Sequence, residues 1–168
     1  TEVGAILEEG ARRAVQVTAL TWLFFDNDGR VTSERMRKAL DDLDITYLIT
    51  ESTNSAPDNP RWHLYLPFDR PFNLPAAELD ETPQVCLARN TAEHHLQYRI
   101  VCEWLCSLGG VEANDEKTNS LAQSCFVARR PNATSAERQI WTRAGRCIVW
   151  PRLLELLGYL SPIQRENA

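Results

Sequence analysis

The segment Leu20–Phe25 is an apolar run that stops abruptly at Asp26-Asn27-Asp28-Gly29. A run of this length favours a buried strand, and Gly29 marks the turn after it. Side chains two positions apart on a strand point to the same side, so Asp26 and Asp28 can meet one metal ion at the strand's end. Their oxygen ligands suit Mg²⁺ or Mn²⁺. An ordinary polar turn explains the same four residues equally well.

The residues after this turn predict a helix and a second strand. Thr32 or Ser33 is suited to cap a helix over 34–43, and the segment Ile45–Thr50 is rich in β-branched residues. A strand, a helix and a strand in this order favour a right-handed crossover that places both strands in one sheet.

The middle of the chain predicts a third strand and the longest helix. Trp62–Leu66 alternates and predicts a strand that Pro67 closes, before a Pro-rich irregular segment at 69–90. Residues 91–108 predict a helix that Gly109-Gly110 ends. Its apolar stripe comprises Tyr98, Val101, Leu105 and Leu108.

The last third of the chain predicts shorter elements. Ser124–Ala128 favours a strand, residues 140–149 a hairpin broken at Gly145, and residues 151–159 a short helix. Together the elements predict one domain over residues 1–168, of the α+β (α/β-like) class, with a mixed β-sheet core flanked by helices.

Composition and charge exclude several classes of protein. The chain has 168 residues, and the 43% of hydrophobic residues indicates a globular protein rather than a disordered one. The net charge of −5 argues against a protein that coats DNA nonspecifically through bulk positive charge. No apolar run approaches the roughly 20 residues that a membrane span needs, so we expect no membrane partner.

The cysteines indicate a reducing compartment. Their number, five, is odd, and none forms a CxxC pair, so we expect a cytoplasmic location. Cys102 and Cys106 lie one helical turn apart, with His95 on the same predicted helix, which admits a zinc site. Buried helical thiols are the simpler interpretation, because structural zinc usually takes its ligands from two tight knuckles.

The strand that ends in Asp26 and Asp28 is similar to two known families. One is the haloacid-dehalogenase phosphatase group, in which Asp26 would be the nucleophile, Asp28 the general acid, and Thr50 would end the second strand. Those enzymes also need a further acidic pair after a downstream strand. Beyond Asp115-Glu116, the acidic residues of this chain are isolated.

The chain as a whole resembles the archaeo-eukaryotic primase superfamily, in particular the primase-polymerase domains of phage and plasmid replication proteins. The resemblance extends from about residue 12 to about residue 157. The segments that carry it are Arg12-Arg13, the strand into Asp26-Asn27-Asp28-Gly29, residues 45–52, residues 60–71 with their "LP…RP" exit, Asn114-Asp115, residues 122–126 and Arg129-Arg130-Pro131.

This resemblance implies a catalytic core related to an RRM-like fold and a two-metal nucleotidyl transfer from nucleoside triphosphates. It places Asp26, Asp28 and Asp115 as the catalytic, metal-holding carboxylates for Mg²⁺ or Mn²⁺. Glu112 and Glu116 remain alternatives to Asp115.

The resemblance also implies a nucleotide site and a DNA site. His63 would contact the phosphates of the nucleotide, and Arg61, two positions earlier on the same strand face, would bind them bidentately. Arg129 and Arg130 would contact DNA or triphosphate; a solvated strand end is the simpler explanation of the pair. The expected partners are a single-stranded DNA template, nucleoside triphosphates and a helicase on another segment or chain. A replication-initiation module that binds DNA without catalysis is the alternative.

Overall fold

The structure is a computed structural model that describes residues 2–3, 5–7, 17–29, 31–52, 55–111, 124–125 and 139–159. The strands in these ranges are β1 (Glu2–Val3), β2 (Ala5–Leu7), β3 (Val17–Asn27), β4 (Tyr47–Glu51), β5 (Trp62–Asn73), β6 (Ser124–Cys125) and β7 (Ile140–Arg143). The helices are α1 (Glu34–Asp42), α2 (Pro83–Gly109) and α3 (Trp150–Leu156).

Five strands form one sheet in the order β2-β3-β5-β4-β7, and β1 pairs separately with β6. Strands β3 and β4 are both antiparallel to β5, which lies between them, so β3 and β4 run in the same direction. The predicted placement of the first two strands in one sheet is therefore confirmed. They are not neighbours, because the third strand inserts between them.

The α+β class is confirmed, but the expectation of a mixed sheet was wrong. Every pairing between the strands that the structure describes is antiparallel. The parallel contacts are isolated bridges, Ile45 with Arg146 and Phe68 with Ile148. The insertion of β5 explains this result. One edge of β5 pairs with β3 and the other edge with β4, and both of these strands run opposite to β5.

Alternation of burial over the last six residues of β3, Trp22–Asn27, shows which face of the sheet becomes the core. Leu23 and Phe25 are buried on one face, whereas Phe24 and Asp26 are half-buried on the other. Helices α1 and α2 pack against each other and share the core of the first face. The fully buried residues of this core include Phe25, Met36, Leu40, Ile49, Leu64, Leu66, Val101 and Leu105. Burial of each such side chain stabilises the fold by about 1.5–3 kcal/mol.

Helix α2 is longer than predicted and begins at Pro83, inside the segment that was expected to be irregular. Proline is well tolerated at the first helical position, where its missing N–H has no intrahelical acceptor. The Thr82 side chain caps this end by accepting a hydrogen bond from the Val85 amide, at 3.4 Å. The predicted end of the helix is confirmed, because Gly110 adopts the left-handed conformation with φ +63°.

Two other boundary predictions were wrong. Strand β5 does not stop at Pro67 but continues to Asn73, and its pairing with β3 shifts register between Leu20 and Trp22. Such irregularities accommodate prolines, which lack the donor for a ladder hydrogen bond. Residues 139–159 do not form the predicted hairpin. Their one strand, β7, pairs with β4 and not with a second strand of this segment.

Over the described ranges, α2 is the one helix long enough to be considered as a membrane span, and it is not apolar enough to be one. The four cysteines whose side chains are described, Cys86, Cys102, Cys106 and Cys147, form no disulfide.

Candidate functional site

Three neighbouring strands bring Asp26, His63 and Thr50 into one row. Asp26 of β3 lies directly opposite His63 of β5, and His63 lies opposite Thr50 of β4. Residues directly opposite in antiparallel pairs share a face, so all three lie on the side of the sheet that faces away from the core. The Nε2 atom of His63 is 3.4 Å from Oδ1 of Asp26. This distance is longer than an ordinary hydrogen bond, so the two side chains are in polar contact without a well-formed hydrogen bond.

A second acidic–basic pair lies beside the first, where the strands end. Asp28 follows the last residue of β3, and Arg61 precedes the first residue of β5. The Nη1 atom of Arg61 is 3.3 Å from Oδ1 of Asp28. The side chain of Asp28 is 55% exposed, whereas that of Asp26 is only 19% exposed. The two carboxylates therefore differ in hydration, although both face β5.

The environment of His63 keeps its imidazole neutral. Burial lowers the pKa of His63 below its ordinary value of 6.5, and the carboxylate of Asp28 opposes this shift without cancelling it. The Phe24 ring, whose centroid is 5.3 Å from that of the imidazole, contributes to this apolar surrounding. The buried Nδ1 of His63 has no hydrogen-bond partner among the described residues. A neutral imidazole of this kind can donate one hydrogen bond and accept another.

Asn27, between the two carboxylates, fixes the end of β3. Its side chain is buried on the core face and donates to the carbonyl oxygens of Val31, at 3.3 Å, and of Pro60, at 3.4 Å. Trp62 donates to the same Val31 oxygen at 2.9 Å. These bonds tie the turn after Asp28 to the segment that carries Arg61. This role of Asn27 was not predicted from the sequence, although an amide at a core-facing position of an otherwise apolar strand indicates it.

The donor set at the strand end fits a hard divalent cation. Asp26 and Asp28 offer carboxylate oxygens, the ligands that Mg²⁺ and Mn²⁺ prefer. No group of three or more metal-ligating side chains occurs within the described ranges. The third expected carboxylate, Asp115, lies outside those ranges, as do its alternatives Glu112 and Glu116.

Other residues singled out by sequence fall in different places. Arg129 and Arg130 lie outside the described residues. His95, Cys102 and Cys106 all lie on α2, where no metal-holding group was found within the described part of the chain. His94, next to His95, is buried near the middle of α2, because this helix begins at Pro83 and not at residue 91 as predicted.

Comparisons with known proteins add no relative: no family model matches the chain, and neither the curated proteins nor the solved structures contain a significant match.

Proposed function

We propose that this chain is a primase-polymerase domain that transfers nucleotides from nucleoside triphosphates to a primer on a single-stranded DNA template. The register of β3 with β5 carries the proposal. It brings the acidic pair Asp26 and Asp28 into contact with the basic pair His63 and Arg61, which lies more than thirty residues further along the chain. A carboxylate pair beside two phosphate-binding side chains is suited to phosphoryl transfer.

In this reaction the oxygen of a primer 3′-hydroxyl attacks the α-phosphorus of a nucleoside triphosphate. A new P–O bond forms, the bond to the β-phosphate oxygen breaks, and pyrophosphate leaves while the hydroxyl proton passes to solvent. His63 and Arg61 bind and orient the phosphates, since a neutral imidazole donates one hydrogen bond and a guanidinium can donate two in parallel. Asp26 and Asp28, with Asp115, would hold Mg²⁺ or Mn²⁺, which when bound acidify the hydroxyl and neutralise the leaving pyrophosphate.

The strand order supports this function over a phosphatase of the haloacid-dehalogenase group. The phosphatase interpretation needs Thr50 at the end of the second strand to act beside Asp26. In the sheet, β5 lies between β3 and β4, so the direct neighbour of Asp26 is His63. The order of strand, helix, two strands and helix, with the third strand inserted, is that of a split βαβ unit. This arrangement supports the proposed relation to an RRM-like core.

Primer synthesis and extension on a single-stranded template test the proposal. The assay supplies labelled ribo- or deoxynucleoside triphosphates with Mg²⁺ or Mn²⁺, and compares the wild type with the Asp26→Ala/Asp28→Ala double variant. The exposed Asp42, on α1, and Asp80, in the segment before α2, provide a matched control, Asp42→Ala/Asp80→Ala, which removes the same charge from positions outside β3 and β5. We expect incorporation in the wild type and the control, and none in the double variant.

Two other outcomes would replace the proposal. A folded wild type that binds DNA but incorporates no nucleotide would indicate a replication-initiation module without catalysis. Release of inorganic phosphate from simple phosphate monoesters, abolished by Asp26→Asn, would indicate a phosphatase.

A further inference from the structure

A pocket of about 240 Å³ lies against the first turn of α1, next to the candidate site. Arg61, which contacts Asp28, also lines this pocket, so the pocket and the acidic pair share one side chain. The polar side chains that line the pocket also include Ser33, Glu34, Arg37 and Glu51.

The start of α1 leaves donors available to this pocket. The first amides of any α-helix have no intrahelical acceptor. Ser33, at the N-cap position, is only 4% exposed, lines the pocket and makes no capping hydrogen bond. A hydroxyl that makes no capping bond can donate to, or accept from, a ligand in the pocket.

Two guanidinium groups reach the same pocket. Arg37 stacks over the Trp141 ring, with its guanidinium carbon 4.5 Å from the ring centroid, and forms no ion pair with a described residue. The Nε atoms of Arg37 and Arg61 are buried and have no hydrogen-bond partner in the described part of the chain. Guanidinium groups and the free amides of a helix start together favour an oxyanion.

The remaining charges limit the charge of that anion. Glu34 and Glu51 balance Arg37 and Arg61, and Arg61 also faces Asp28. One oxygen of Glu51 accepts a hydrogen bond from the Gln139 amide at 3.3 Å. Because the two glutamates repel an anion in proportion to its charge, a singly charged phosphodiester meets less repulsion here than a triphosphate with several negative charges.

We propose that this pocket binds one phosphodiester group of the single-stranded DNA backbone, through Arg37, Ser33 and the first amides of α1. The identity of the ligand rests on the proposed function; the pocket itself does not depend on catalysis. A backbone phosphate held here places the strand beside Arg61, and therefore beside the acidic pair.

Fluorescence anisotropy with a labelled oligothymidylate tests this site, in EDTA and without nucleotide so that catalysis does not contribute. We expect Arg37→Gln to weaken binding about tenfold and to make the slope of log K against log salt shallower by about 0.7, the value for one lost single-strand phosphate contact. Lys38→Gln, an exposed change of equal charge at the next position of α1, should leave affinity and slope close to those of the wild type.

Ser33→Ala is a second test variant, which keeps the test valid if Arg37→Gln unfolds the protein. It removes a hydroxyl that makes no capping bond, so Tm should stay unchanged while the affinity falls several-fold. The proposal is overturned if Arg37→Gln and Ser33→Ala bind as the wild type does, or if Lys38→Gln weakens binding as much as Arg37→Gln. It is also overturned if Arg37→Gln weakens binding of a nucleoside triphosphate but not of the oligothymidylate.

Failure of this site and failure of the proposed function are distinguishable. If the wild type incorporates nucleotides but Arg37→Gln binds DNA as the wild type does, only the proposed phosphodiester site is wrong. If the wild type incorporates no nucleotide but Arg37→Gln still weakens DNA binding, the phosphodiester site is supported and the proposed catalytic function is wrong.

Discussion

His63 lies directly opposite Asp26 across the β3–β5 pair, with its Nε2 atom 3.4 Å from the Asp26 carboxylate. Two residues further towards the strand ends, Arg61 contacts Asp28 in the same way. The period of two residues on both strands produces this repetition, because side chains two apart share a face. The antiparallel register therefore brings two short sequence motifs together in one cluster, in which each carboxylate contacts a nitrogen-bearing side chain.

The titration of His63 is the first prediction. Burial holds the pKa of His63 below 6.5, and the Asp28 carboxylate raises it in part. We expect the imidazole resonances of His63, followed by NMR, to titrate below pH 6.5. Asp28→Asn should lower this pKa further, since it removes the stabilising negative charge. The exposed change Asp58→Asn should leave the titration where it is in the wild type; equal behaviour of the two variants would contradict the described contact.

Arg61 should affect nucleotide binding more than stability. Its pair with Asp28 is partly exposed, and such pairs contribute about 0–1 kcal/mol to the free energy of unfolding. We expect Arg61→Gln to raise the KM for the nucleotide about tenfold, with a smaller change in kcat and a nearly unchanged Tm. Arg152→Gln, at an exposed position on α3 that pairs with Glu155, should change neither. A kcat loss with an unchanged KM would contradict the assignment of Arg61 to phosphate binding.

Acid should destabilise the fold through His94. Burial, with a smaller contribution from His95, lowers the pKa of His94 to about 4. The unfolded chain, with an ordinary histidine pKa of 6.5, binds the proton more readily, so the stability that His94 contributes is present above pH 6.5 and is lost as the pH falls from 6.5 to 4. The loss amounts to about 3 kcal/mol for a shift of this size.

Urea unfolding measured between pH 7 and pH 4 tests this prediction. His94→Gln should flatten the pH dependence over that interval, whatever its effect on stability at pH 7. The neighbouring His95 is exposed, so His95→Gln should leave most of the pH dependence in place. A wild type whose stability is the same at both ends of the interval would contradict the burial of a neutral His94.

Gly29 should resist substitution because of the turn after the acidic pair. Its φ is +130°, and a Cβ atom there would collide with Oδ1 of Asn59. We expect Gly29→Ala to lower the free energy of unfolding by about 2 kcal/mol, mainly from the backbone conformation, because the Asn59 side chain can move away from the new Cβ. Gly158 also has a positive φ, +80°, which is nearer to the left-handed region, and nothing lies within 4 Å of its position. Gly158→Ala should therefore cost only about 1 kcal/mol in chemical denaturation, and equal losses at both positions would contradict this difference in backbone conformation.

Local sequence signals predicted individual elements well where a single periodicity dominated. The apolar run Leu20–Phe25 forms part of β3, although only alternate residues of its second half are buried. Of the predicted stripe on α2, Tyr98, Val101 and Leu105 are buried, whereas Leu108 is half-buried. Two element boundaries were predicted wrongly at prolines, one in a strand and one in a helix. Pro83 begins α2, and Pro67 lies within β5, since the effect of a proline depends on whether its missing donor would have had an acceptor.

The sequence by itself determined which residues are candidates for the chemistry: Asp26 and Asp28 by their spacing at one strand end, and Arg61 and His63 by their spacing at the start of another strand. Only the tertiary structure decided that these pairs meet. Strand β5 lies between β3 and β4 and not at the outer edge of β4. This position depends on burial of Leu64 and Phe25 in the same core as α1 and α2, which no local sequence pattern records. Strand order is set by the free energy of the whole core, whereas strand and turn formation follow from neighbouring residues, so the sequence indicated the parts of the site and the packed sheet assembled them.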